Sequence, residues 1–479
     1  MKNILIFTIL AIVMASCGGQ STKEKELELK ERELALKEKE LELQASNNSN
    51  TDNLSSNNNT SSSNQSISYN QPKPKQKSQE EIKQELIGRE YTTLNLGPTH
   101  PATHGIFQNV LKMDGEIIIE STPTIGYIHR AFEKLAERRP YGQVTTITDR
   151  LNYCSSPINN MGWHMTVEKL AGIRLPKRVE YLRVIIMELA RIADHIICNS
   201  VIGVDSGAMT GFLYVFQFRE HIYEIYEEIC GARITTNIGR IGGLERDFSQ
   251  TAWLKIEKLL KELPKGLKEF EDLLIRNRIF MDRTINCGPI SAEMALAYSF
   301  TGPNLRAAGI DYDVRVMNPY SSYEEFDFMI PLGTNGDTYD RFMVREQEMK
   351  ESMSIIKQAM QKLDKLEDKT SYNAEVPEFY LPPKNEVYNE MEALIWHFKI
   401  IMDETAVPKG EVYHWVEGAN GELGYYLISD GGRTPYRLHI RRPCFIYYQA
   451  YPEMIKGAYL SDAILTMSSM NVIAGELDA

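Results

Sequence analysis

Residues 46–66 are almost entirely Asn, Ser and Thr, and a stretch of that make-up has too little apolar surface to fold. Whatever this chain of 479 residues builds must therefore come from the segments on either side, and the two sides are unlike each other. The N-terminal side is short and patterned like a processed leader. The C-terminal side runs for nearly 400 residues without repeats or low-complexity tracts, enough for a large core.

In the leader, Lys2 precedes an apolar run at residues 4–14 that ends in Ala15-Ser16-Cys17-Gly18. That order reads as a signal segment, and its end resembles the site at which bacterial lipoproteins are cleaved and lipidated on cysteine. The run is shorter than the roughly 20 residues a permanent membrane helix needs. Leu27, Leu34 and Leu41 then repeat every seven residues, as do Leu29, Leu36 and Leu43. A coiled-coil seam alternates spacings of three and four. Here the two rows stand two and five apart, which puts them on nearly opposite sides of a helix. The expectation is a signal-like segment 1–17, a charged helical segment 18–45, a disordered linker 46–85 and a folded body 86–479.

The formal charge of −12 argues against a nucleic-acid partner, which requires clustered positive charge. The six cysteines, Cys17, Cys154, Cys198, Cys230, Cys287 and Cys444, include no C-x-x-C pair. No zinc or iron–sulfur site can be read from them, and their scatter suits free thiols in a reducing compartment.

Within the body, residues 94–96, 106–113 and 116–120 read as strands flanking a loop. Pro176 fits the first turn of a long helix whose buried stripe is Val179, Leu182, Ile186, Leu189, Ile192, Ala193 and Ile196. A second helix from Phe212 ends at Gly231, and a third, 253–280, is interrupted by Pro264. Two more are expected over 345–366 and 386–403, before strands at 411–416, 422–429 and 436–442, the last two around Asp430-Gly431-Gly432. The predicted fold class is α+β, mostly helical, with small antiparallel sheets near both ends of the body.

The loop 97–105 reads GPTHPATHG, with a histidine pair four apart, His100 and His104. Pro101 between them disfavours a helix, and no cysteine or carboxylate completes a metal set. The pair suits a ligand-facing finger, or two histidines bonded to backbone in a tight turn. Further on, Asp149-Arg150-Leu151-Asn152-Tyr153 and Val204-Asp205-Ser206-Gly207 stand out. Each residue also has a plain structural role open to it. Asp205 can cap a helix, Tyr153 can be a core aromatic, and Arg150 can pair with Asp149 at the surface.

Taken together, GPTHPATHG, IGYIHRAFEKLAERR (125–139), DRLNY, VDSGAMT, RIGG (240–243), GIDYDVR (309–315), PLGTNGDTYDRF (331–342) and ELGYYLISDGG (422–432) resemble the 49 kDa, or D-type, subunit family of respiratory complex I. The match runs in the family's order from about residue 90 to Ala479. The resemblance implies a body like the large subunit of nickel–iron hydrogenases, without the two paired-cysteine motifs that a nickel–iron centre needs. It therefore implies no metal and no cofactor on this chain. Quinone is the substrate, and FMN and the iron–sulfur clusters sit in partner subunits.

By the same resemblance, His104 and Tyr153 hydrogen-bond the two quinone carbonyls, and Asp205 partners the histidine. Reduction takes two electrons and two protons, so each carbonyl oxygen needs a donor as charge develops on it. Arg150 matches the family arginine beside the terminal cluster. Thr235 stands where many members carry a histidine. The implied partners are the iron–sulfur protein holding that cluster, a C-type subunit and the membrane arm. The implied activity is NADH:quinone oxidoreduction coupled to proton translocation, in the assembled complex only. The implied place is the cytoplasmic side of the inner membrane, as a peripheral protein, and the lipoprotein-like leader conflicts with it. The other readings are a component of a related hydrogenase-like membrane complex and a surface lipoprotein with a binding-module body.

Overall fold

Strand pairing shapes the start of the body. The computed structural model describes residues 91–479 apart from 104, 375 and 377, so the segments 1–17, 18–45 and 46–85 and His104 lie outside the described residues. β1 (Thr92–Leu96), β2 (Gln108–Asp114) and β3 (Ile117–Thr124) form an antiparallel meander, in line with the alternation of the sequence. Asn109, Leu111 and Met113 of β2 are buried in the period of two that a half-covered strand requires. That face packs on the far end of the chain: Leu96, Phe107 and Leu111 share a core cluster with Tyr447, Tyr448 and Met470. The β1–β2 ladder closes at Leu96 opposite Asn109, and the loop 97–105 lies beyond that pair.

Helices then take over: α1 (Tyr141–Thr148), α2 (Ser156–Ala171), α3 (Lys177–Asp205), α4 (Met209–Cys230) and α5 (Gln250–Leu274). The whole expected stripe of α3 is buried. So are Glu188, Arg191, Asp194 and His195 on its other sides, which makes α3 the central helix. Buried charge must be paired. Glu188 meets Arg191 at 3.2 Å, His195 Nε2 meets Glu348 at 2.7 Å, and Arg306 joins Glu348 at 2.6 Å and Glu417 at 2.9 Å.

Four features differ from the sequence expectation. Pro176 is the cap before α3 rather than part of its first turn. Pro264 does not interrupt α5, which runs unbroken through it. A mid-helix proline costs about 3 kcal/mol. Here the buried face of Ile256, Leu259, Leu260, Leu263, Leu267, Phe270 and Leu274 outweighs that cost. α6 (Thr338–Lys365) starts seven residues before the expected 345, capped by Asp337, whose carboxylate accepts from the Asp340 amide at 2.9 Å. Its first turns hide Arg341, Arg345 and Glu346, polar residues that mask a helix from an apolar-period reading. The expected helix 386–403 is two, α7 (Lys384–Asn389) and α8 (Met391–Met402), parted at Glu390 by extended backbone. α8 leaves Met391, Leu394, Ile395, Phe398, Ile401 and Met402 exposed.

β4 (Gly410–Gly418), β5 (Gly421–Ser429) and β6 (Arg437–Arg441) form a second three-stranded antiparallel sheet, and α9 (Leu460–Met470) follows. The body is mostly helical with small antiparallel sheets near both ends. Among the described residues no helix is long and apolar enough to cross a membrane.

Candidate functional site

Tyr153 opens a short 3-10 turn, Tyr153–Ser155, between α1 and α2. Asn152 builds that turn with every polar atom of its side chain. Its Oδ1 accepts from the Cys154 amide at 3.1 Å and its Nδ2 donates to Asp194 Oδ2 at 2.7 Å. Its carbonyl accepts from Asn159 Nδ2 at 2.9 Å. The Tyr153 side chain is not a core aromatic, since 42% of the residue stays open to solvent. Dense protein around the rest of it, with the Cys154 and Cys444 thiols and Asp194 close by, pushes the phenol up to about 12. The hydroxyl keeps its proton at neutral pH and can act as a donor.

Asp205 is the last residue of α3, whereas the helix after it is capped at Ala208, so it is not that helix's N-cap. Its carboxylate accepts from the Ser468 hydroxyl of α9. His104 lies outside the described residues, but its loop is tied by Thr103, whose hydroxyl lies 3.1 Å from the Pro98 carbonyl and 2.9 Å from that of His100.

Arg150 and Asp149 do not form a surface pair. Asp149 is buried, and burial lifts its carboxyl to about 6 against the pull of its Asn160 bond and of Arg150 and Arg240. Arg150 is exposed, donates to the Thr146 carbonyl, and lines a hollow of about 200 Å³ with Arg130 and Arg139 over Phe132, Leu135 and Ile147. Asn160 connects this corner to the other expected cluster-side residue. Its Nδ2 donates to Asp149 and, at 2.9 Å, to the Thr236 carbonyl, next to Thr235. Thr235 itself has a φ of 54°, and its hydroxyl donates to the Ile234 carbonyl at 2.7 Å. Arg150 and Thr235 therefore share one corner of the body, and Tyr153 stands three residues from Arg150.

Among the described residues there is no group of three or more His, Cys, Asp or Glu arranged to hold a metal, and the five described cysteines are free thiols. The family model for the respiratory-chain NADH dehydrogenase 49 Kd subunit matches residues 205–479. A D-type NADH-quinone oxidoreductase subunit from Cytophaga hutchinsonii is 74% identical over 388 residues, 81% of this chain and 98% of that protein. The chain belongs to the 49 kDa subunit family of NADH-quinone oxidoreductase. The D-type relative of Flavobacterium johnsoniae is 71% identical over 392 residues, 82% of this chain and 94% of the relative. In Bdellovibrio bacteriovorus the similar protein is a C/D-type NADH-quinone oxidoreductase subunit, 46% identical over 394 residues, 82% of this chain and 70% of that protein. As a member of this family the chain is one component of a multi-subunit oxidoreductase.

The family motifs point to Tyr153, Asp205, Arg150 and Thr235 but pass over the groups that connect them. Asp194, Asn160 and Asn471 carry no spacing signal. The one available clue is a carboxylate inside an apolar helix pattern, at Asp194 in α3.

Proposed function

We propose that this chain forms the quinone headgroup site of NADH:quinone oxidoreductase. In this reading Tyr153 and His104 donate to the two carbonyl oxygens, and Asp205 orients His104. Two electrons reach the quinone from NADH through FMN and iron–sulfur clusters in partner subunits. Two protons arrive through the donors, giving quinol. The observation that carries the reading is the Tyr153 hydroxyl, which holds its proton on a part-exposed side chain and makes no hydrogen bond to a described residue. A phenol so closely surrounded and without a role is normally bonded.

The hollow ringed by Arg130, Arg139 and Arg150 supports a place for the terminal cluster of the iron–sulfur partner, where positive charge raises a reduction potential. A C-type partner, as the C/D-type relative suggests, and the membrane arm complete the assembly, with proton translocation coupled to it. The exposed apolar face of α8 suits burial against such partners. The body's likeness to the nickel–iron hydrogenase large subunit belongs to this proposal too, as does a peripheral place on the cytoplasmic side of the inner membrane. The Cytophaga relative is matched almost whole by 388 residues of this chain, which supports residues 1–85 standing apart from this function.

Expression of the chain from Glu85 in a strain lacking it is expected to restore membrane NADH:quinone activity. No restoration from a chain that accumulates normally would favour the lipoprotein reading instead. At the cluster corner, Thr235 cannot gain a proton near neutral pH, so the midpoint of the terminal cluster is expected to stay flat between about pH 6 and 9. It is expected to slope in Thr235→His, read by redox titration with electron paramagnetic resonance. A sloping midpoint in the unaltered protein would overturn this expectation.

A further inference from the structure

Behind Tyr153 the body holds a buried polar chain that the headgroup chemistry does not use. Asp194, fully buried in the middle of α3, accepts from Asn152 Nδ2 at 2.7 Å on one oxygen and from Asn471 Nδ2 at 2.6 Å on the other. Asn471 also donates to Asn420 Oδ1 at 2.5 Å, and Asn420 Nδ2 donates to the buried Glu476 at 3.2 Å. Asn471 holds a left-handed conformation, φ 56°, just past α9, the helix whose Ser468 bonds Asp205. A carboxylate with no access to water and, among the described residues, two amide donors is costly to keep, and an apolar side chain there would avoid that cost.

The geometry explains what is gained. Asn152 is the cap from which Tyr153 projects, and Asn471 ends the helix that serves Asp205. Asp194 grips both. We propose that Asp194 is the positioning residue of the headgroup site, fixing the Tyr153 turn through Asn152 and the Asp205 side through Asn471. This rests on the reading of Tyr153 as a quinone donor. Asp194 touches no substrate and acts through its two amide partners. Its negative charge, with the Cys154 and Cys444 thiols, also helps to hold the proton on the Tyr153 oxygen. Among the described residues those three are the titratable groups whose charge acts on the phenol.

The test is a double-mutant cycle in the assembled membrane enzyme, with NADH oxidation by an artificial acceptor as the assembly control. Asp194→Asn keeps the shape but turns one accepting oxygen into a donor that faces another donor. It is expected to lower kcat with quinone about tenfold, the scale of one charged hydrogen bond, with little change in artificial-acceptor activity. In a Tyr153→Phe background the same change is expected to cost clearly less, about threefold, because the hydroxyl on one of its two arms is gone and only the Asp205 side remains to be disturbed. A merely structural loss would reduce both backgrounds equally, and that outcome overturns the proposal. So does full quinone activity in Asp194→Asn. If Asp194→Asn does not assemble, Asn471→Gly is used instead. Glycine accepts the left-handed backbone and removes the anchor on the Asp205 side, so a loss of about threefold that shrinks in an Asp205→Asn background is expected. If Tyr153→Phe alone has no effect on quinone reduction, the headgroup reading itself falls, which separates the two failures.

Discussion

His104→Ala and Tyr153→Phe are each expected to lower NADH:quinone activity about a hundredfold while leaving electron transfer from NADH to an artificial acceptor intact. One positioned proton donor contributes on that scale, because it acts where charge develops on the substrate oxygen. Tyr153→Phe is the cleaner of the two. The ring keeps its contacts, and the hydroxyl it loses bonds to nothing among the described residues. Folding and assembly should therefore be untouched, and any loss should lie in the quinone step. Asp205→Asn should cost less, since an amide still faces the Ser468 hydroxyl and the effect reaches the quinone only through His104. The readout is the ratio of quinone to artificial-acceptor rates in membranes. A His104→Ala or Tyr153→Phe enzyme that assembles and keeps full quinone activity would falsify the assignment.

How far the sequence reaches follows from the kind of signal each element leaves. The β1–β2–β3 meander and the β5–β6 hairpin are legible because alternation and the Asp430-Gly431-Gly432 turn are local patterns. The stripe of α3 is legible for the same reason. α6 is longer than its local signal because its first turns bury Arg341, Arg345 and Glu346, whose burial depends on partners far away in the chain. Arg345 bonds Asn304 at 3.0 Å and Arg341 bonds Ser469 at 2.9 Å, links that no local window contains. Pro264 signals a break because propensity is local, whereas the packing that overrides it is tertiary. At the site, resemblance alone picks out the motif residues. The polar chain from Asn152 through Asp194 to Asn471 spans residues 152 to 471 and exists only once the body has closed.

Glu346 shows how much a partner-poor buried group can govern. It is fully buried in α6, and neither carboxyl oxygen has a hydrogen-bond partner. Its polar neighbours are Glu271 of α5 and Asn199 of α3, and Lys350 is paired with Glu271. Burial first, and then the Glu271 charge, lifts its carboxyl to about 8, with Lys350 pulling the other way. Below a pH of about 4.5 the folded and unfolded chains both hold this proton and the group has no effect on stability. Between there and about 8 only the folded chain holds it. In that window stability falls as pH rises, and above it the loss levels off. Glu346→Gln keeps the shape of the neutral acid and has no proton to lose. Thermal unfolding of the full chain from about pH 5 to 9 should therefore show a falling Tm in the unaltered protein and a flatter one in Glu346→Gln, with the variant ahead at the alkaline end. If the two curves fall in parallel, the alkaline loss belongs to another group and Glu346 is ionised in the folded chain.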